Sequence, residues 1–251
     1  MKTATKTLFA ALGCLIFFCA CTKYEKVGSI NKPGIALTFD DGYVDEWYQF
    51  LPLFDSFQVK ATFYVCGYKN LSPEQKKKLK TLQQHGHEIA FHSTSHPDFV
   101  KYLQRNKIAK LEEEEIRQGL QDMNNDGIYP QTFAYPYGSH NEILDNCLLR
   151  RFKSIRALNG TKNFSKSFAP TTDNSILYAI GMDLSSGKTT EQLLNFVSLA
   201  KQNNDCLVLV GHHINNHDTK MEVPYYRLKK IIKSAVEQGL EFYTASAISR
   251  K

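Results

Sequence analysis

Two adjacent carboxylates, Asp40 and Asp41, end the apolar run Gly34-Ile35-Ala36-Leu37-Thr38-Phe39 and are followed by Gly42. A continuous hydrophobic stretch of this kind reads as a buried parallel strand, and ligands in α/β sheets collect where such strands end. Successive side chains on an extended segment point to opposite faces, so the two carboxylates divide their work between a metal ligand and a proton acceptor. Gly42 permits the turn that follows. Asp-Asp-Gly is also ordinary turn chemistry, so residues downstream must decide.

His92 and His96, in His-Ser-Thr-Ser-His, follow another strand-like run. Their spacing puts both imidazoles on one face if the segment coils as a helical turn. Two histidines with one carboxylate from the Asp pair leave positions open for water, the arrangement a hydrolytic metal needs. The same donors suit Fe(II), which would bring a dependence on dioxygen or a 2-oxoacid. His212 ends the apolar run Leu207-Val208-Leu209-Val210-Gly211 and could supply a general acid opposite a carboxylate base. His213 competes for that role, since one residue of slip exchanges their faces. The turn Phe133-Ala134-Tyr135-Pro136-Tyr137-Gly138 could aim backbone N–H groups at a developing oxyanion. His85, His87 and His217 read as surface or satisfied structural histidines.

The elements that must position these groups alternate along the chain. Strands are expected at 34–42, 60–67, 88–92, 133–135, 154–158, 176–180, 206–211 and 241–245, by their β-branched and apolar content. Helices are expected at 45–57, 73–84, 108–123, 142–151, 191–203 and 225–238. Ser72 and Pro73 form a cap and first turn for the second of these, and Gly239 closes the last. Repeated β-then-α units argue for a parallel barrel or a doubly wound sheet in one domain over 33–251.

Residues 1–20 read as a targeting segment, with Lys2 and Lys6 before an apolar stretch, Leu8 to Cys19, too short to span a bilayer. Ala20 before Cys21 resembles the bacterial lipoprotein pattern, in which Cys21 becomes the lipidated first residue and 22–32 a polar tether. Several acyl chains on one residue anchor a protein stably, where one alone is marginal. The expectation is therefore an exported, membrane-anchored lipoprotein of the bacterial cell envelope, in the periplasm or on the outer membrane or cell surface. Cys66, Cys147 and Cys206 then remain, too few and too scattered for a disulfide framework. Cys66 and Cys206 lie in apolar runs and read as small buried hydrophobes. The formal charge of +6 falls to +4 without Lys2 and Lys6, there being no acidic residue before Glu25. Lys76, Lys77, Lys78 and Lys80 form the densest basic run and read as a solvated helix face. No nucleic acid partner is expected.

In chain order, Thr-Phe-Asp-Asp, His-Ser-x-x-His, the Tyr-Pro-Tyr-Gly turn and an apolar strand ending in His resemble the polysaccharide deacetylases of the NodB homology class, carbohydrate esterase family 4. The likeness extends over roughly 34–248 and includes Ala61-Thr62-Phe63-Tyr64-Val65 and Gly86-His87-Glu88-Ile89. It implies an irregular (β/α) barrel of seven or eight strands and a metal-dependent removal of acetyl groups from a polysaccharide. It further implies Asp40 as general base and His212 as general acid. Asp41, His92 and His96 would hold a divalent metal, zinc by preference, with cobalt, manganese or nickel as alternatives. Tyr137, after Pro136, would offer its N–H to the oxyanion. Two positions depart from the pattern. Ala134 stands where the family carries an arginine that orients the aspartate, which implies weakened catalysis. The Asp-Trp motif is missing, with Asp183 a weak stand-in, since Trp47 lies elsewhere. A glycan-binding lipoprotein without useful turnover, or an O-acetyl esterase of the xylan type, are the competing expectations.

Overall fold

The first strand, β1 (Gly34–Asp41), is buried along almost its whole length, and its side chains alternate between two different apolar environments. Ile35, Leu37 and Phe39 pack outward under the helices, while Ala36 joins an inner cluster with Tyr64, Ala90, Ala134, Ala179 and Val208. That alternation holds around a closed ring of parallel strands in a computed structural model that describes residues 32–160, 164–169, 174–215 and 219–249. The expected leader, Cys21 and His217 lie outside the described residues. Among those described, no helix is long and apolar enough to cross a membrane.

The ring follows chain order: β1, β2 (Ala61–Val65), β3 (Glu88–Phe91), β4 (Thr132–Ala134), β5 (Ser154–Leu158), β6 (Ile176–Gly181) and β7 (Cys206–Gly211). Pairing of β7 with β1, from Gly34 opposite Cys206 to Phe39 opposite Gly211, closes it. The fold is thus the closed seven-stranded parallel barrel among the expected architectures. A parallel ring places every strand's carboxyl end at one mouth, which is why residues far apart in sequence share one site.

Several elements differ from expectation for identifiable reasons. The helix expected over 45–57 is two, Val44–Gln49 and Leu51–Ser56, parted at Phe50. Pro52 has no N–H to donate and its ring would meet the carbonyl one turn back. The helix Pro73–Gln84 begins as read, with Ser72 and Gln75 forming a reciprocal capping box. Ile108–Asn125 is helical but contains a π-helical turn at Glu112–Arg117, and a short helix, Phe99–Leu103, precedes it. The last strand is only Glu241–Phe242, and the chain then turns beneath the barrel. There the Ala245 N–H donates to Thr62 Oγ1 (2.8 Å) and the Ser246 N–H to Glu88 Oε2 (2.8 Å), plugging the end opposite the mouth.

Gly34 lets that final segment approach, because a Cβ there would lie 2.4 Å from the Tyr243 ring and 2.6 Å from the Glu241 carbonyl. Gly34→Ala is expected to cost about 1–3 kcal/mol through overpacking, measured by urea denaturation. An unchanged midpoint would mean that the closing segment yields freely.

Candidate active site at the barrel mouth

Alternation along each strand decides which side chains reach the interior. On β1 the inner series is Ala36, Thr38, Asp40. Thr38 Oγ1 donates to the Leu209 carbonyl across the barrel wall, and Asp40 is 4% exposed. On β3 the inner series Glu88, Ala90 leads to His92, and on β7 the series Cys206, Val208, Val210 leads to His212. His213 falls on the other face, where its Nδ1 lies 3.1 Å from Glu46 Oε1 and its ring rests against Tyr43. Of the two competing histidines, His212 is the one in the cleft.

That cleft, about 410 Å³, is lined by Asp40, Asp41, His92, His96, Arg156 and His212, with Tyr137, Leu158 and Met221 at its rim. His92 Nε2 and His96 Nε2 are 3.2 Å apart, and Asp41 Oδ1 lies 3.6 and 3.4 Å from them. Tetrahedral ligands about 2.1 Å from a zinc ion sit roughly 3.4 Å from one another, so these three atoms fit a metal of that kind. His92 Nδ1 is 2.8 Å from the Ala134 carbonyl; since a carbonyl only accepts, Nδ1 carries the proton and Nε2 presents its lone pair to the other two donors. Burial, with Arg156 adding to it, lowers the His92 pKa to about 4 against the pull of Asp40 and Asp41, so the ring is neutral at pH 7 and able to ligate.

The two histidines do not meet through a helical turn, as their spacing suggested. They lie on a loop in which Ser93 (φ 73) and His96 (φ 60) take the left-handed conformation. Asp41 (φ 81) and Tyr137 (φ 59) do the same, so among the described residues four of the six non-glycine residues with positive φ lie in or beside one cleft. Such backbone costs on the order of 1–3 kcal/mol per residue and clusters at functional sites. At Asp41 it turns the side chain off the alternation of β1 and toward the histidines.

Two residues complete the site that sequence reasoning missed or undervalued. Arg156, fully buried on β5, donates from Nη2 to Asp40 Oδ2. It lies directly opposite Ala134 in the β4–β5 register. The arginine expected at the position of Ala134 is thus absent there, but a guanidinium beside the aspartate is supplied by the next strand. The only signal was a lone arginine at an inward position of an apolar strand. Asp183 is the other. Its Oδ2 lies 2.8 Å from His212 Nδ1 and its Oδ1 accepts from the His212 N–H at 3.1 Å. Trp47, expected to stand apart from the site, donates from Nε1 to the His212 carbonyl at 3.0 Å.

Electrostatics separate the two proton-handling groups. Burial would raise the Asp40 pKa, but Arg156, then His92 and His212, outweigh it and hold the carboxyl below its ordinary range. Burial would lower His212, but the hydrogen bond to Asp183 and the charges of Asp40, Asp183 and Asp41 raise it. A carboxylate whose ionised form is favoured thus shares the cleft with an imidazole whose protonated form is favoured, the pairing that acid–base catalysis needs. The cysteines take no part: Cys66, Cys147 and Cys206 are free thiols, and burial pushes Cys66 up to about 12.

Asp40 also yields a stability test. Its folded pKa lies below the unfolded value of about 3.9, so its contribution is complete above that value and is lost as pH falls through the folded pKa. Arg156→Met leaves burial dominant and reverses the sign, because a carboxyl raised on folding loses stability as pH rises. The variant is expected to be about 3–5 kcal/mol less stable at pH 7, the deficit shrinking toward pH 4 in metal-free urea denaturation. A deficit independent of pH would show that Arg156 is not what holds Asp40 ionised.

Residues 28–150 match the family model described as polysaccharide deacetylase. A peptidoglycan-N-acetylglucosamine deacetylase of Bacillus cereus is 36% identical over 133 residues, 50% of this chain and 42% of the relative. The chain spans less than half the length of the curated relatives it matches. Among solved structures, the carbohydrate esterase family 4 domain of a multidomain xylanase from the hindgut metagenome of Trinervitermes trinervoides superposes with a TM-score of 0.60 at 21% identity, covering 87% of this chain and 90% of that one. A family 4 pseudoenzyme from Bacillus anthracis gives 0.60 at 15% identity, over 87% and 66%. Over the matched segment the chain is thus similar to polysaccharide deacetylases, and its barrel is the fold of carbohydrate esterase family 4 domains.

Proposed function

We propose that the domain is a metal-dependent hydrolase that removes acetyl groups, N-acetyl in the first place, from a cell-envelope or extracellular polysaccharide. The observation that carries this reading is the convergence in one cleft of Asp41, His92 and His96 with two separately held proton-transfer groups, Asp40 on Arg156 and His212 on Asp183. Asp41, His92 and His96 would hold the metal, zinc by preference, and when bound it would supply a Lewis acid and a water of lowered pKa. Asp40 accepts the proton of the attacking water. Its Oδ2 is occupied by Arg156, whereas Oδ1 has no hydrogen-bond partner among the described residues and is the atom that would receive it. His212 donates its Nε2 proton to the leaving nitrogen, so that acetate and a free amine result. Asp183, on Nδ1, orients that ring and favours its protonated form. The strained turn at Pro136 and Tyr137 brings the Tyr137 backbone to the rim, where its N–H would steady the oxyanion.

The name of the Bacillus cereus relative supports peptidoglycan as a first substrate to try. Export and anchoring through a lipidated Cys21 belong to the same proposal, supported by the leader-like pattern of residues 1–20. Ala134 speaks for binding without turnover, whereas the Arg156 guanidinium on Asp40 supports turnover.

Acetate release from chitooligosaccharides, peptidoglycan, poly-N-acetylglucosamine and acetylxylan tests the reading with the domain from Thr22 onward. Release is expected from an N-acetylated member, abolished by chelation, restored by zinc or cobalt, and reduced at least about 100-fold in Asp40→Asn and His92→Ala, as for loss of a group acting in proton transfer or metal binding. No release by a metal-loaded protein would favour a binding role. The pH dependence of kcat/KM supplies a second check. His212 acts protonated and its pKa is raised, so the basic limb should lie above pH 6.5, and Asp183→Asn should move it to lower pH. A limb that does not move would remove His212 as the general acid.

A further inference from the structure

The helical stretch Ile108–Asn125 contains a π-helical turn, Glu112–Arg117, that the deacetylase reading leaves unexplained. Turns of this type insert one extra residue and recur at functional sites. Here the insertion lets Leu111 and Ile116, five residues apart, both reach the core. In a regular α-helix those positions would point about 140° apart. Glu115, four residues after Leu111 and so on nearly the same face, also points inward, where a carboxylate is 6% exposed although no lysine or arginine pairs with it among the described residues. Its side-chain carboxylate bonds instead to the loop between the two histidines. Glu115 Oε2 accepts from the Ser95 N–H at 2.9 Å and Oε1 from the Ser95 hydroxyl at 2.6 Å. Its backbone carbonyl accepts from both the N–H and the hydroxyl of Thr94, each at 3.2 Å.

Gly119, one turn further along, points to the same contact independently. A Cβ there would lie 2.7 Å from Thr94 Oγ1 and 2.7 Å from the Phe91 ring. Only a bare backbone lets the helix come this close to the loop.

We infer that Glu115 is a positioning residue for the metal: Gly119 lets the helix lie against Thr94, and the four hydrogen bonds to Thr94 and Ser95 hold His96 in its left-handed conformation with Nε2 facing His92 and Asp41. The cost of φ 60 at His96 is offset by bonds on the two residues before it, together with the bond from the His96 N–H to Ser93 Oγ at 3.0 Å. Without that clamp the loop relaxes and the third donor leaves the cluster. This inference rests on the metal reading but not on any acetyl transfer, so it is tested by metal binding alone.

Zinc affinity is measured by competition with a chromophoric chelator, for the wild type and for Glu115→Ala, Glu115→Gln, Ser95→Ala and Gly119→Ala, with circular dichroism and thermal melting of each metal-free form. Glu115→Ala should bind zinc about 10–100-fold more weakly, as lost outer partners of metal ligands commonly do. Gly119→Ala should weaken it in the same direction, and Ser95→Ala by a few-fold. Glu115→Gln should stay within about threefold of wild type, because its amide can accept from the Ser95 N–H and donate to the Ser95 hydroxyl. A folded Glu115→Ala protein with wild-type zinc affinity would overturn the inference. So would a glutamine variant as weak as the alanine. If Glu115→Ala fails to fold, unchanged affinity in Ser95→Ala and Gly119→Ala overturns it. A wild type that binds no zinc would overturn this and the metal reading together, whereas zinc binding without acetate release would overturn only the deacetylase reading.

Discussion

The Asp40–Arg156 ion pair is the constraint on which the barrel mouth depends. Both side chains are buried, and neither charge could remain there alone, since an uncompensated charge in a protein interior costs several kcal/mol. The barrel makes room for them with alanine at four inward positions, Ala36, Ala90, Ala134 and Ala179, and with Tyr64 beneath the guanidinium, 5.3 Å from its carbon. Tyr64 Oη in turn lies 3.3 Å from Thr132 Oγ1, which accepts from it and donates its own proton to Glu88 at the closed end. A polar column therefore runs through an otherwise apolar barrel, from the plugged end to the mouth. At the mouth it leaves one ionised carboxylate with a single oxygen uncommitted.

Around that fixed point the remaining groups are sorted by strand parity and by strain. Parity alone sends Asp40, His92, Arg156 and His212 inward and turns His213 out toward Glu46. It would also send Asp41 outward, and the left-handed backbone at that residue is what prevents this. The two adjacent carboxylates thus come to serve different partners, Asp40 the arginine and Asp41 the histidines. Division of labour between neighbours in sequence follows from one strained φ angle.

Much of this was legible in the residues. Strand ends carrying Asp40, Asp41, His92, His96 and His212 could be read because each follows an uninterrupted apolar run whose direction of burial is unambiguous. The helix start at Ser72 could be read because capping is local chemistry. What escaped was set by pairing between strands. Arg156 matters because β5 lies beside β4 with Ala134 opposite it, and Asp183 because β6 ends beside β7, with Gly181 opposite Val210. Neither neighbour relation is written in a single strand's pattern. The break at Phe50 has a local signal in Pro52. The π turn was hidden because a five-residue gap between Leu111 and Ile116 looks like a lapse in helical periodicity rather than a device.

The separation of roles between Asp41 and Asp40 is the central claim, and anomalous diffraction from zinc-soaked crystals at the zinc absorption edge tests it most directly. The account predicts one strong peak within coordinating distance of Asp41 Oδ1, His92 Nε2 and His96 Nε2, with Asp40 still paired to Arg156. A peak coordinated by Asp40, or no peak at the barrel mouth at full occupancy elsewhere, would contradict it.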